Sequence, residues 1–205
     1  MILLYAATID LDCFAVRLTL GIAGLDYRQE PVDVFPAVDA ESRRYLALSR
    51  ERRLPILVAD ERATSGLVPV LRRIATELAP TAGLWPDTHV CAAEPWLDYA
   101  ATQLRAVHAA RDAGLTGPGM TQAQLAAARR ALLVLDDHLT ARRLRGHRWI
   151  SDTGPTIADL ALYPAAALVR DLGLEPGEFP AVRAWCRDVR LLAPSVAMPG
   201  ILDPL

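Results

Sequence analysis

The chain has no lysine and no asparagine, so all 22 of its permanently basic side chains are arginines. We read that usage as the codon bias of a GC-rich genome. The formal charge of −2 leaves no strongly basic face, which argues against nucleic acid as a partner. Cysteine is scarce: Cys13, Cys91 and Cys186 are odd in number and far apart, forming neither a disulfide framework nor a metal pattern. A reducing, cytoplasmic setting fits them. His108 and His138 lack the spacing of metal ligands, so no metal is expected. No apolar run is long enough to span a membrane, and none is expected as a partner. The apolar start Met1 to Tyr5 has no basic leader and soon meets Asp10 and Asp12, so it does not read as a signal peptide.

What is present is apolar bulk. Over 205 residues, 52% are hydrophobic, enough for one sizeable core or two small ones. Residues 1 to 77 alternate short apolar runs with helical stretches. Ile2 to Tyr5 is followed by Cys13 to Gly24, Asp26 to Val34 and Glu41 to Leu48. The stretch LPILVADERATSGLVPVLRRIA from Leu54 then gives a Leu-Pro step, a β-branched run, a polar turn and a helix from about Gly66. The pattern predicts a βαβ unit, a hairpin and a helix. Residues 78 to 88, with APTAGLWPD at their centre, read as a linker. From 89 to 205 the pattern is helical: Cys91 to Ala113, Thr121 to His138, Thr156 to Arg170 and Pro180 to Leu191, with GLTGPG at 114–119 separating the first two.

Thr156-Ile157-Ala158-Asp159 has capping-box spacing, so Thr156 and Asp159 are first of all structural caps. Arg142 to Arg145 read as a solvated helix end, and Arg17 as a partner in a structural ion pair.

The order of these elements, with GHRWISDTGPTIADLALYP at 146–164, FPAVRAWCRDV at 179–189 and Met198-Pro199-Gly200, resembles the glutathione S-transferase superfamily. The resemblance covers nearly the whole chain. It implies an α/β thioredoxin-like domain followed by an all-α domain, usually as a homodimer. Glutathione would lie on the first domain and a small electrophilic molecule against the second.

The site can then be matched residue by residue. The resemblance puts Asp10 where the common bacterial serine falls, and a carboxylate there would repel a thiolate. Thr8 and Cys13 are the substitutes, although Cys13 reads first as a small core residue and Thr8 equally as a loop cap. Leu54 and Pro55 would offer main-chain groups to glutathione, the more so if their bond is cis. Arg53 would hold its glycine carboxylate, or else be a solvated charge within Arg50 to Arg53.

An ungapped match puts Gly66 and Leu67 where the family grips the γ-glutamyl end, with Ser65 as the helix N-cap and Pro69 in the first turn; a slip of two residues would offer Thr64 and Ser65. Trp96, Tyr99 and Gln103 are the candidate substrate wall, beside Trp85 and His108, with Tyr99, Gln103 and Ala106 on one helix face. Trp96 and Tyr99 also suit a core or an interface.

Three readings follow. The chain conjugates, isomerises or reduces a small electrophile with glutathione; or it is a non-catalytic binding or dimerisation module; or its cleft takes another ligand with Asp10 or Asp12 as general base.

Overall fold

Strand β1 (Ile2–Ala6) is the pivot of a four-stranded mixed sheet in the order β2-β1-β3-β4. It runs parallel to β2 (Tyr27–Pro31) and antiparallel to β3 (Ile56–Ala59), which pairs antiparallel with β4 (Arg62–Ser65). Helix α1 (Leu11–Ile22) is part of the long crossover that the parallel pair requires. The computed structural model describes residues 1–32, 48–49, 53–85, 90–115, 117–152 and 154–192. The helix expected at Glu41 to Leu48 lies outside the described residues except for its last position, as do Arg50 to Arg52, residues 33–34, residues 86–88 of the expected linker, the side chain of Cys91, and Met198-Pro199-Gly200.

Alternation along the strands sorts side chains onto two faces. Leu4, Ala6 and Leu57 enter the main core, while Tyr5, Ile56 and Val32 form a small cluster on the other face. At the turn between β3 and β4, Asp60 and Glu61 have φ of 48° and 58°, the left-handed pair that a two-residue hairpin turn demands. Arg73, at the end of α2 (Leu67–Arg73), closes the hairpin from beneath. Its buried guanidinium donates to the carbonyls of Ala59 at 2.6 Å and Arg62 at 2.7 Å and to Thr64 Oγ1 at 3.0 Å. The helix then widens into a π turn over Ile74–Leu78.

The helical half contains α3 (Val90–Ala101), α4 (Arg105–Leu115), α5 (Gln122–Leu144), α6 (Ile157–Ala167) and α7 (Pro180–Arg190). Its core is continuous with that of the sheet half. The Phe14 ring of α1 lies 6.1 Å from Tyr163 of α6, which lies 6.3 Å from Trp185 of α7. Among the described residues, no helix is long and apolar enough to cross a membrane.

Three sequence expectations change here. The single helix expected over Cys91 to Ala113 is two, broken at residues 102–104. The Thr102 hydroxyl donates to the Asp98 carbonyl at 2.6 Å, an i−4 back-bond of the kind that bends helices. Tyr99 lies on α3, Gln103 in the break and Ala106 on α4, so the three do not share one helix. Leu144 and Arg145 are exposed at the helix end, but Arg142 and Arg143 are half-buried and bonded: Arg142 donates to the carbonyls of Trp149 and Ser151, and Arg143 pairs with Asp188 at 2.6 Å. Among the described residues, Arg17 donates to backbone carbonyls instead of a carboxylate, those of Ala7 at 3.4 Å and Thr8 at 3.1 Å.

The cap at α6 forms as its spacing predicts. Asp159 is fully buried, and its Oδ2 accepts from the Thr156 amide at 2.9 Å and the Thr156 hydroxyl at 3.1 Å. Its Oδ1 takes two further bonds, from the Ile150 amide at 3.0 Å and Trp185 Nε1 at 2.9 Å. Burial pushes this carboxyl above its ordinary value, and those four donors pull the other way. One side chain thus fixes the start of α6, the loop before it and the docking of α7.

Candidate functional site

A cleft of about 680 Å³ opens where the two halves meet. Asp10 and Asp12 line it from the start of α1, Arg53 and Leu54 from the segment before β3, and Ser65 to Pro69 from the passage between β4 and α2. The helical half contributes Ala101 and Arg105.

Asp10 is the N-cap of α1, with Oδ1 accepting from the Cys13 amide at 2.7 Å. Two buried arginines hold the backbone that carries it. Arg17 takes the carbonyls of Ala7 and Thr8, and Arg111 of α4 donates to the Ile9 carbonyl at 2.8 Å. Arg111 also pairs through Nε with Asp171 Oδ2 at 2.8 Å, a bridge almost completely removed from solvent.

Asp12 meets Arg105 across the seam, with Oδ2 accepting from Nη1 at 2.7 Å. Burial raises the Asp12 carboxyl to about 6 against the opposing pull of Arg105, with Asp10 and Asp112 adding to the rise. His108, nine-tenths buried between Arg105 and Arg111, is pushed down to about 3, chiefly by burial. It is therefore neutral near neutral pH.

The other expected positions divide clearly. Leu54 lies in the cleft, the Leu54-Pro55 peptide is cis, and the Pro55 carbonyl accepts from the Gly66 amide at 2.9 Å. Arg53 and Ser65 also line the cleft. Cys13 is fully buried, and burial together with the Asp10 carboxylate drives its thiol far above the ordinary range. It packs in the core and does not line the cleft, which corrects its place among the catalytic candidates. Thr8 is exposed beside the cleft, and Thr64 is held by Arg73, on the opposite side of β4 from Ser65.

Ser65 is the last residue of β4, paired with Ile56, and Gly66 is the N-cap of α2 without a side-chain bond. The φ of Gly66 is 86°, a region that strains any residue with a Cβ.

The expected substrate wall is also corrected. The Tyr99 hydroxyl donates to the Ala131 carbonyl at 2.9 Å, and Trp96 packs between Tyr99 and His138, so both face α5. Gln103 sits in the exposed turn before α4. Trp85 lies under the Arg72 guanidinium, 5.2 Å from its ring centre. Arg105, which the sequence reading passed over, takes the wall position instead. Among the described residues, no three His, Cys, Asp or Glu side chains are grouped to hold a metal.

A thioredoxin-like mixed sheet with flanking helices, joined to a helical half with a buried Thr-Asp capping box, defines the glutathione S-transferase fold. Residues 100–190 match the family model for the glutathione S-transferase C-terminal domain. A possible glutathione S-transferase from Rhodopseudomonas palustris superposes with a TM-score of 0.80 at 24% identity, covering 96% of this chain and 97% of that one. A glutathione S-transferase from Xanthobacter autotrophicus Py2 gives 0.78 at 25% identity, covering 98% and 96%. Ure2p in complex with glutathione gives 0.82 at 19% identity, covering 92% and 89%. No curated protein matches the sequence. Residues 100–190 thus carry a glutathione S-transferase C-terminal domain, and the chain as a whole has the glutathione S-transferase fold.

Proposed function

We propose that the protein is a glutathione S-transferase-like enzyme that conjugates, isomerises or reduces a small electrophile with glutathione. The observation that carries this reading is the composition of the cleft: the start of α1, Leu54 before β3 and the passage from Ser65 into α2 converge on one volume. Main-chain groups there can receive an extended peptide without any particular side chain. Arg53 supplies a positive charge for a ligand carboxylate. The protein would work as a cytoplasmic homodimer of two-domain subunits, divided near residues 78–88.

One observation favours a second reading, in which the cleft binds another ligand or serves a non-catalytic role. Asp10 brings a carboxylate, not a hydroxyl donor, to the start of α1, and Thr8 does not line the cleft. Millimolar glutathione or S-hexylglutathione should raise the melting temperature if the first reading holds. No shift with either compound, together with no turnover of an aryl halide, would leave the second reading in place. Light scattering in solution tests the homodimer.

A further inference from the structure

The pair formed by Asp12 and Arg105 is the part of the cleft that the family resemblance leaves without a role. Asp12 comes from α1 and Arg105 from α4, so the contact exists only because the two halves dock. Asp12 keeps 13% of its side chain exposed and Arg105 keeps 45%, and both line the cleft. Arg105 Nη1 also lies 3.0 Å from His108 Nδ1. A guanidinium can only donate, so Nδ1 is the accepting nitrogen and the ring proton sits on Nε2. That nitrogen is 3.8 Å from Asp12 Oδ1. Asp12 therefore faces a guanidinium with one oxygen and a neutral imidazole N–H with the other. Among the described residues, the other charged groups acting on Asp12 are Asp10 before α1 and Asp112 on α4, while Arg111 on α4 acts on His108.

We propose that Asp12 and Arg105 are the thiol-activating pair of this cleft, Asp12 receiving the proton of a bound thiol and Arg105 holding the thiolate. The S–H bond breaks, an O–H bond forms on Asp12, and the electron pair stays on sulfur. An aspartate–arginine ion pair and a neutral thiol become a neutral acid and a thiolate–guanidinium pair, so net charge is conserved. Protonation weakens the hold of Asp12 on Arg105 at the moment when the thiolate needs it. The raised proton affinity of Asp12 suits it to accept a proton near neutral pH while remaining charged beforehand. His108 is a positioning residue, accepting from the same Arg105 Nη1 that Asp12 engages without competing for charge. The ligand class is a small thiol, and the inference rests on the reading that the cleft takes glutathione.

The test uses the full chain and two probes. S-hexylglutathione, which has no thiol proton, reports whether the cleft binds the peptide. The ultraviolet thiolate absorbance of bound glutathione, followed against pH, reports activation. The bound thiol should ionise at least about one pH unit below the free thiol, as an opposite charge within a few ångströms requires. Arg105→Gln should cancel that shift, lowering the thiolate fraction near neutral pH about tenfold, while S-hexylglutathione still binds. In the wild type the thiol proton stays on the protein, whereas Asp12→Asn should release it, measurable by calorimetry in buffers of different ionisation enthalpy. If Arg105→Gln does not fold, the proton release of Asp12→Asn decides the matter. S-hexylglutathione binding with an unshifted thiol, with a shift that survives Arg105→Gln, or with equal proton release in wild type and Asp12→Asn overturns this pair and leaves the proposed function standing. Failure of both probes to bind overturns both.

Discussion

Arg111 Nη1 lies 2.8 Å from the carbonyl of Ile9, the peptide that leads into Asp10, so a helix of the second half holds the first wall of the cleft in place. The same guanidinium is neutralised by Asp171, whose side chain has no exposed surface.

Arg111→Met should therefore be costly. Removing one partner strands the buried Asp171 carboxylate, a loss on the order of 3–5 kcal/mol. The double variant Arg111→Met/Asp171→Leu should recover a large part of it, because no charge is then left unpaired. Urea unfolding of the three proteins measures this, and a loss below about 1 kcal/mol for the single variant would show that the bridge is not holding the seam.

Asp10 carries two separable properties, a cap and a charge. Asp10→Ala should cost about 1 kcal/mol through the lost bond to the Cys13 amide. Asp10→Ser keeps an N-cap oxygen and should stay within about 0.5 kcal/mol of wild type. The serine variant thus removes the carboxylate from the cleft without loosening α1. Equal destabilisation by both changes, seen in thermal melts, would contradict the capping role.

Asp12 and His108 impose opposite pH dependences in overlapping windows. The folded chain holds a proton on Asp12 up to about 6 instead of 3.8, so this group favours folding most in acid and less as pH rises from about 4 to about 6. His108 stays neutral down to about 3 instead of 6.5, so its contribution is full above about 6.5 and is lost as pH falls toward 3. Each effect is on the order of 3 kcal/mol or somewhat more, and they oppose each other in the wild type. Asp12→Asn should consequently lose more stability on acidification than wild type, and His108→Gln less. Denaturant midpoints at pH values between about 4 and 7 read both slopes directly.

Asp159→Ala should be the most damaging change at α6. It strands the amides of Ile150 and Thr156 and the indole N–H of Trp185 in a dry interior. A loss of more than about 3 kcal/mol is expected, against about 1 kcal/mol for Thr156→Ala. Comparable losses for the two variants would mean that the bonds to Ile150 and Trp185 contribute little.

The fold was legible where its cause is local. The Thr156-Asp159 box lies within one helical turn, and the Leu-Pro step before β3 and the βαβ pattern are set by neighbours in sequence. The break after Ala101 was hidden because residues 102–104 contain neither glycine nor proline, and the Thr102 back-bond leaves no periodic mark. In the cleft, the backbone positions at Leu54 and Ser65 could be placed by pattern, but the side chains that oppose them could not. Arg105 stands 93 positions from Asp12, and Arg111 stands 102 from Ile9. Each looks like one more surface arginine until docking brings it to its partner. The one available signal was their spacing on α4: Arg105, His108 and Arg111 recur every three residues, which puts three basic types on one stripe.

The unbroken core linking α1 to α6 and α7 also limits how the cleft can work. Sliding or swinging the halves apart would pull Phe14 away from Tyr163 and expose apolar surface along the whole seam. Among the described residues, the walls that the two halves contribute to the cleft are therefore held in register by this packing. New ligand preferences would arise from exchanging single side chains on the rim of the cleft, and cutting the chain between the halves would leave two fragments that each lack a wall.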